Sequence, residues 1–375
     1  MKNLLILLFL LFAMSCQQPV QQKYDYLFVG TYTQKEGHVD GKASGIYVLK
    51  FYTETAEIEV IDTISGITNP SFIDYNPATQ SLYAVSEVSD TTFDNAGWVY
   101  HFPYQPQSGV TGKTSRFSSL GAYPCFVEAN SQEIMIANYM GGNIVFYPLD
   151  SMGNVIDQPD SMQHIGSGPT SRQEAPHAHS IRKSPGNGLY YAADLGTDEI
   201  MVYEKTATSL VLKNKWPLPP GSGPRHLEFH PELPLIFIIN ELSGSIITFD
   251  LDRSAIIQEI TYLSLGEVNA SGADIHISPD AQFLYVSNRD VHNEIVIFSL
   301  SETGKLTMVD RVKLKGNTPR NFAIHPNGKY LLAAGQDSST LEVYEINTQT
   351  GELTFKSITN IPTPVCLVFV AGKEQ

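Results

Sequence analysis

Residue types able to do acid–base and anion chemistry recur in this chain at matching places in a repeating unit. The residue just after each repeat's opening Pro or Gly is, in chain order, Ser71, Cys125, His177, Arg225, Ala273, Arg320 and Val365. A second series follows the second strand of each repeat and runs Glu87, Asn138, Asp194, Glu241, Arg289 and Gly335, with Asn240 and Asn288 beside two members. Guanidiniums hold anions, and an imidazole or a carboxylate of suitable pKa passes a proton. Brought to one place, such groups make a hydrolytic or lyase site. Each type also has a structural use. Arg225, Arg289 and Arg320 suit ion pairing with Glu241 and Asp194, and Asp194 and Asp198 suit fixing a turn by accepting backbone N–H bonds.

His177 and His179 form a His-x-His pair, and on a strand both rings point to one face. That spacing occurs in metal sites, but no third ligand is suitably spaced and nearby arginines oppose a cation. No metal and no cofactor is therefore expected. His226, His230, His276 and His325 read as packing or turn residues, because equivalent repeat positions hold apolar groups or Asn.

The elements that position these residues are legible as repeats. Asn69-Pro70-Ser71-Phe72 aligns with Tyr123-Pro124-Cys125-Phe126, Ala175-Pro176-His177-Ala178, Gly223-Pro224-Arg225-His226, Ser271-Gly272-Ala273-Asp274, Thr318-Pro319-Arg320-Asn321 and Thr363-Pro364-Val365-Cys366. The starts lie 54, 52, 48, 48, 47 and 45 residues apart, a period typical of repeated supersecondary units. Each unit continues with a turn such as His325-Pro326-Asn327-Gly328, a β-rich run such as Phe283-Leu284-Tyr285-Val286-Ser287, a third strand and a variable segment able to supply a fourth. Four short strands per period with no long amphipathic helix is the pattern of a propeller blade. Six units are complete; the seventh starts at Thr363 and lacks strands that Tyr26–Gly30 and Gly45–Leu49 can supply. The expected fold is all-β, a closed seven-bladed propeller over residues 24–372, with N- and C-terminal strands sharing one blade. In that arrangement first strands line a central channel, and both residue series meet at one of its mouths.

The front of the chain is different. Lys2, the apolar run Leu4 to Phe12 and the small residues after it have the sections of a signal peptide, which we place at residues 1–15. Ala13-Met14-Ser15-Cys16 resembles the bacterial lipobox, which implies lipidation of Cys16 and a linker over residues 16–23. The expectation is a lipid-anchored cell-envelope protein facing the periplasm or the exterior. Cys125 and Cys366 remain, read as two buried thiols rather than one disulfide. With 42% hydrophobic and 17% charged residues the chain can close a core, and a formal charge of −15 argues against a nucleic-acid partner. A few arginines in a cleft still hold a small anion locally. The protein is expected to act as a monomer.

Pro176-His177-Ala178-His179-Ser180, Asp194-Leu195-Gly196-Thr197-Asp198, Gly223-Pro224-Arg225-His226-Leu227, Asn240-Glu241-Leu242 and Val286-Ser287-Asn288-Arg289 together resemble the lactonase family of seven-bladed propellers. That family includes bacterial 6-phosphogluconolactonases and the fungal carboxy-cis,cis-muconate cyclising enzyme. The resemblance runs from about Tyr26 to Val370. It implies a catalytic group of His177, Arg225, Glu241 and Arg289, with Arg320 as the other candidate for the second arginine. Either Glu241 or His177 would be the base that activates water. Glu87, Asn138, His179, Asp194, Asn288 and Arg320 form the expected substrate-binding shell. The implied activity is hydrolysis of a small anionic sugar lactone or related acid. A cycloisomerase or lyase of muconate-lactone type and a noncatalytic envelope propeller binding glycans or proteins are the alternatives. An envelope location also puts a phosphorylated sugar substrate in question.

Overall fold

The computed structural model describes residues 23–372 apart from 38, 157, 207 and 208, so the signal-peptide and Cys16 readings lie outside the described residues. Six antiparallel sheets of four strands and one of five make seven blades, accompanied by a short hairpin, Lys35–Glu36 with Val39–Asp40. Blade 1 is built from both termini: Pro364–Val370 is its inner strand and pairs with Tyr24–Thr31, followed outward by Gly45–Tyr52 and Glu57–Ser65. Blades 2 to 7 follow in chain order, with inner strands Ile73–Asn76, Pro124–Ala129, Ala178–Lys183, Pro224–Phe229, Gly272–Ile277 and Pro319–Ile324. Pro364–Val370 contacts the inner strands of both blade 2 and blade 7, which closes the ring.

Burial explains the strand sequences. Second strands such as Leu235–Asn240 are buried along their whole length and read as continuous apolar runs. Outer strands such as Leu353–Asn360 alternate between half-buried and exposed residues. The core is divided among blade interfaces, each holding its own hydrophobic cluster. Period-two alternation sorts the side chains: Tyr26 and Phe28 pack toward blade 2, while Leu27 and Val29 pack toward blade 7. Cys125 and Cys366 are both buried free thiols.

One irregularity recurs and governs the channel. In blades 3, 4, 5 and 7 the inner strand pairs through Pro124, Ala178, Pro224 and Pro319, and then the register slips by one residue. The residue inside each slip is Cys125, His179, Arg225 or Arg320. Blade 6 slips after Gly272, and blade 1 slips around Val365. A bulge frees its extra residue from the ladder and re-aims the side chain.

This pairing corrects the third repeat, which forms blade 4. Ala178 faces Asp194 as Pro224 faces Asn240, so the repeat opens at His177, and His179 rather than His177 is the equivalent of Arg225. Alignment on proline misleads here because Ala occupies the position that holds Pro in blades 3, 5 and 7. His177 precedes the strand and a bulge follows Ala178, so the two histidines do not share a strand face.

Just past the bulged residues, polar side chains stitch blade to blade. Ser180 Oγ donates to the carbonyl of Arg225. Asp274, 2% exposed, bonds His226 Nδ1 at 2.7 Å, His276 Nε2 at 3.1 Å and Asn321 Nδ2 at 2.5 Å. Asn321 Oδ1 accepts the Leu367 N–H at 2.8 Å. His226 and His276 are therefore partners of a buried carboxylate rather than packing residues. His230 and His325 do cap turns through Nδ1. Burial works against charge on His276, but Asp274 and Glu228 outweigh it and raise its pKa to about 10.

Asp274→Ala strands three polar partners in the core and should cost about 3–5 kcal/mol in urea unfolding; a loss below about 1 kcal/mol would refute the hub assignment. The raised His276 pKa gives stability that is complete below the ordinary 6.5 and lost as pH rises through about 10. Unfolding free energy should fall across that window, and His276→Gln should flatten the fall.

Candidate active site

The bulged residues Cys125, His179, Arg225, Arg320 and Val365 line the waist of the channel together with Ser71. A second ring follows from seven equivalent backbone bonds. Tyr32, Glu87, Tyr139, Leu195, Glu241, Arg289 and Gln336 each donate an N–H to the carbonyl of the residue that opens the repeat, just ahead of the inner strand of the same blade. Glu87, Glu241 and Arg289 thus stand at equivalent places. Asn138, Asp194 and Asn288 lie one residue earlier, and the ring positions of blades 3 and 4 belong to Tyr139 and Leu195.

Those three earlier residues are committed to the fold. Asn138 Nδ2 bonds Ser119 O and Asn143, and Asn288 takes the Ser271 N–H and bonds Glu294. Fully buried Asp194 accepts the N–H groups of His177, Gly196 and Thr197 and pairs with His164 Nδ1 at 2.6 Å. Its turn needs Gly196, where a Cβ would come within 1.9 Å of Ala175 O. The structure does not bring these side chains to the cluster below.

Glu241 is the centre of that cluster. Arg225 Nη1 lies 2.5 Å from its Oε2, Arg289 Nη2 lies 3.2 Å from its Oε1, and Arg172 Nη2 lies 3.1 Å from the same oxygen. Backbone carbonyls hold the first two arginines: Arg225 Nε donates to Ala273 O, and Arg289 Nε donates to Ser271 O. Burial opposes charge on Glu241, but Arg289, Arg225 and Arg172 outweigh it and hold the carboxyl well below its usual range. Burial lowers Arg289 to about 10, only partly offset by Glu241. Glu241 is therefore ionised and unsuited to donating a proton.

Of the two candidate second arginines, Arg289 contacts Glu241, whereas Arg320 faces Glu87 at 3.9 Å. Glu87 also accepts from the Tyr32 hydroxyl at 2.7 Å. Arg320 and Glu87 form a separate pair on the other side of the mouth.

His177 is buried, stacked face to face on Tyr139 with ring centroids 4.5 Å apart and 9° between planes. Its Nδ1 is 3.0 Å from the Tyr139 carbonyl, which can only accept, so Nδ1 carries the proton and Nε2 has the free lone pair. Glu174 Oε1 stands 3.4 Å from Nε2. The Tyr139 hydroxyl accepts from Arg172 at 3.0 Å, which joins His177 to the Glu241 cluster. His179 lies deeper, with Nδ1 3.9 Å from Cys125 Sγ; burial, then Arg225 and His226, hold its pKa well below the ordinary value.

Arg172, Tyr139 and Glu174 were not anticipated from sequence. Arg172 and Glu174 lie in Ser171-Arg172-Gln173-Glu174, between repeats, where repeat alignment has nothing to say. Tyr139 was findable by counting from the residue that pairs with Pro124. Four guanidiniums, of Arg172, Arg225, Arg289 and Arg320, meet three carboxylates, of Glu87, Glu174 and Glu241. These guanidiniums gather at the mouth of a chain whose net charge is −15.

Residues 26–369 match the protein family described as Lactonase, 7-bladed beta-propeller. The chain is 30% identical over 352 residues to the 6-phosphogluconolactonase of Bacillus subtilis, covering 92% of this chain and 97% of that protein. It is likewise 30% identical to the 6-phosphogluconolactonase of Formosa agariphila, over 87% and 94% of the two chains. A solved structure from Bacteroides fragilis superposes with a TM-score of 0.83 at 34% identity, over 93% of this chain and 98% of that one. The periplasmic gluconolactonase of Pseudomonas aeruginosa superposes with a TM-score of 0.82 at 27% identity, over 93% and 99%.

Asp194→Ala removes the acceptor of four bonds and should lower unfolding free energy by about 3 kcal/mol or more, as expected for buried donors left unpaired. Asn288→Ala should also act on stability, and neither change should act first on ligand affinity. Calorimetry with denaturant titration separates the two, and unchanged stability with lost ligand binding would return these residues to the substrate shell.

Proposed function

This chain belongs to the seven-bladed β-propeller lactonase family, and from that premise we propose that it opens the ring of a sugar lactone at the channel mouth. The observation that carries the reading is the Arg225–Glu241–Arg289 cluster, joined through Arg172 and Tyr139 to His177. Arg225 and Arg289 face the lactone carbonyl. Charge grows on that oxygen during attack, so fixed guanidiniums stabilise the transition state more than the ground state. Glu241 acts as a positioning residue, keeping two buried cations side by side.

His177 supplies the proton transfers. Its Nε2 takes a proton from water as the water oxygen bonds to the carbonyl carbon. As the bond from that carbon to the ring oxygen breaks, the imidazolium returns the proton to the ring oxygen, leaving a hydroxy acid. The guanidiniums at the mouth favour the carboxylate that forms.

The envelope reading supports a lactone met outside the cytoplasm, and the similar Pseudomonas aeruginosa protein is itself a periplasmic gluconolactonase. Lys2, the apolar run after it and Cys16 fit export and lipid anchoring. No helix among the described residues is long and apolar enough to cross a membrane, so an anchor would have to come from elsewhere.

Hydrolysis of glucono-1,5-lactone and 6-phosphogluconolactone, followed above the spontaneous rate, tests the activity. Arg225→Ala should lower kcat by about two orders of magnitude or more, the scale of a lost oxyanion donor. Near-wild-type turnover by a folded variant would remove Arg225 from the mechanism, and no turnover by the unaltered protein on any lactone would favour the cycloisomerase or binding readings. For the anchor, Cys16→Ala should move the protein from the membrane to the soluble fraction; an unchanged distribution would refute it.

A further inference from the structure

Arg172 differs from the other arginines of the mouth in where it comes from and how it is held. Arg225 and Arg289 belong to the repeated blade elements, are almost fully buried and spend donors on backbone carbonyls. Arg172 sits on the connection between the strands Asp160–Gln163 and Ala178–Lys183, and its side chain is 53% exposed. Its side chain donates to the Tyr139 hydroxyl and to Glu241 Oε1.

The connection beneath it is firmly seated. Gln173 is fully buried, and its Nε2 donates to Leu195 O at 2.8 Å and to Asp198 Oδ1 at 2.7 Å. The Gln173 N–H bonds Thr170 O, and its carbonyl accepts from Gly168. Asp198 in turn accepts the N–H groups of Gly221 and Gly223, tying the connection to the opening of blade 5. Arg172 is thus a long side chain on a fixed root, able to change partners without loop movement. Tyr139 is fixed as well, stacked on His177 and edge-on to His179 at 5.6 Å.

Partner exchange is inexpensive at this place. Glu241 keeps Arg225 and Arg289 if Arg172 leaves, so no buried carboxylate is abandoned. A half-exposed ion pair contributes little to stability, whereas a guanidinium bonded to an anionic ligand gains charge-assisted bonds.

We propose that Arg172 is a substrate-contacting, specificity-determining residue that passes from Glu241 to an anionic substituent of the bound lactone, remote from its carbonyl. This rests on the lactonase reading above. A carboxylate and a phosphate would both satisfy the guanidinium, and the lactone ring would then lie between Arg172 and the Arg225–Arg289 pair.

Steady-state kinetics of the unaltered protein, Arg172→Ala and Arg172→Lys on 6-phosphogluconolactone and on neutral glucono-1,5-lactone test it. Arg172→Ala should raise KM for the phosphorylated lactone about ten-fold or more beyond any change on the neutral lactone, and Lys should restore part of that difference. An equal loss on both lactones, or a fall confined to kcat, would overturn the proposal and leave Arg172 as a support for Glu241. Calorimetric titration with 6-phosphogluconate, gluconate and inorganic phosphate needs no turnover. Affinity for 6-phosphogluconate should fall about ten-fold in Arg172→Ala. A larger loss for 6-phosphogluconate than for gluconate assigns a phosphate partner, and the reverse order would place Arg172 against the carboxylate formed from the lactone carbonyl and overturn the proposal. Unchanged affinity, or no binding by the unaltered protein, would overturn the proposal. Arg172-dependent binding without any lactone turnover would instead overturn the lactonase reading alone.

Discussion

The site depends on a one-residue slip repeated at the start of the inner strands. An inner strand in continuous register would send alternate side chains into its blade interfaces, where the apolar clusters sit. The slip after Pro224 releases Arg225 from that alternation and turns it to the channel. The same slip presents Cys125, His179 and Arg320. The seven backbone bonds that follow the second strands then place Glu241 and Arg289 on the same mouth. Since the blades pack against each other through fully buried strands, these positions are rigid, as preorganised electrostatics requires.

Within that frame, charge arrangement separates the roles. Two buried guanidiniums near each other would repel, and Glu241 is the countercharge that lets Arg225 and Arg289 stand together. The same embrace holds Glu241 ionised and makes it a poor proton carrier. In the proposed mechanism proton transfer passes to His177, whose Nδ1 faces the Tyr139 carbonyl and whose Nε2 has Glu174 beside it. Arg289, lowered to about 10 by burial, remains cationic at neutral pH.

Stability and chemistry use similar residues one position apart. Asn138, Asp194, Asn240 and Asn288 end second strands and spend their side chains inside the blade. Their successors Tyr139, Glu241 and Arg289 serve the mouth. Below the waist, Asp274 links blades 5, 6 and 7 through His226, His276 and Asn321, a polar stitch in place of an apolar contact. Acidic and basic residues at the two levels of the channel therefore answer to different demands, the proposed chemistry above and cohesion below.

Much of this was legible in the chain itself. Repeat spacing, turn residues and the incomplete last unit determine seven blades and the shared terminal blade, because each blade is a local unit whose strands and turns carry their own patterns. Arg225, Glu241 and Arg289 were found because they occupy repeated positions. What only tertiary structure decided is register and everything outside the repeat. The alignment that followed Pro176 put His177 where His179 stands, since the pairing of Ala178 with Asp194, not the identity of one residue, defines the bulge. A shift of one residue separates Asn138 from Tyr139 and Asp194 from Leu195, and in a strand one residue reverses the direction of the side chain. Arg172 belongs to no repeat, and its approach to Glu241, 69 residues away in the chain, arises from the folding of one blade against another.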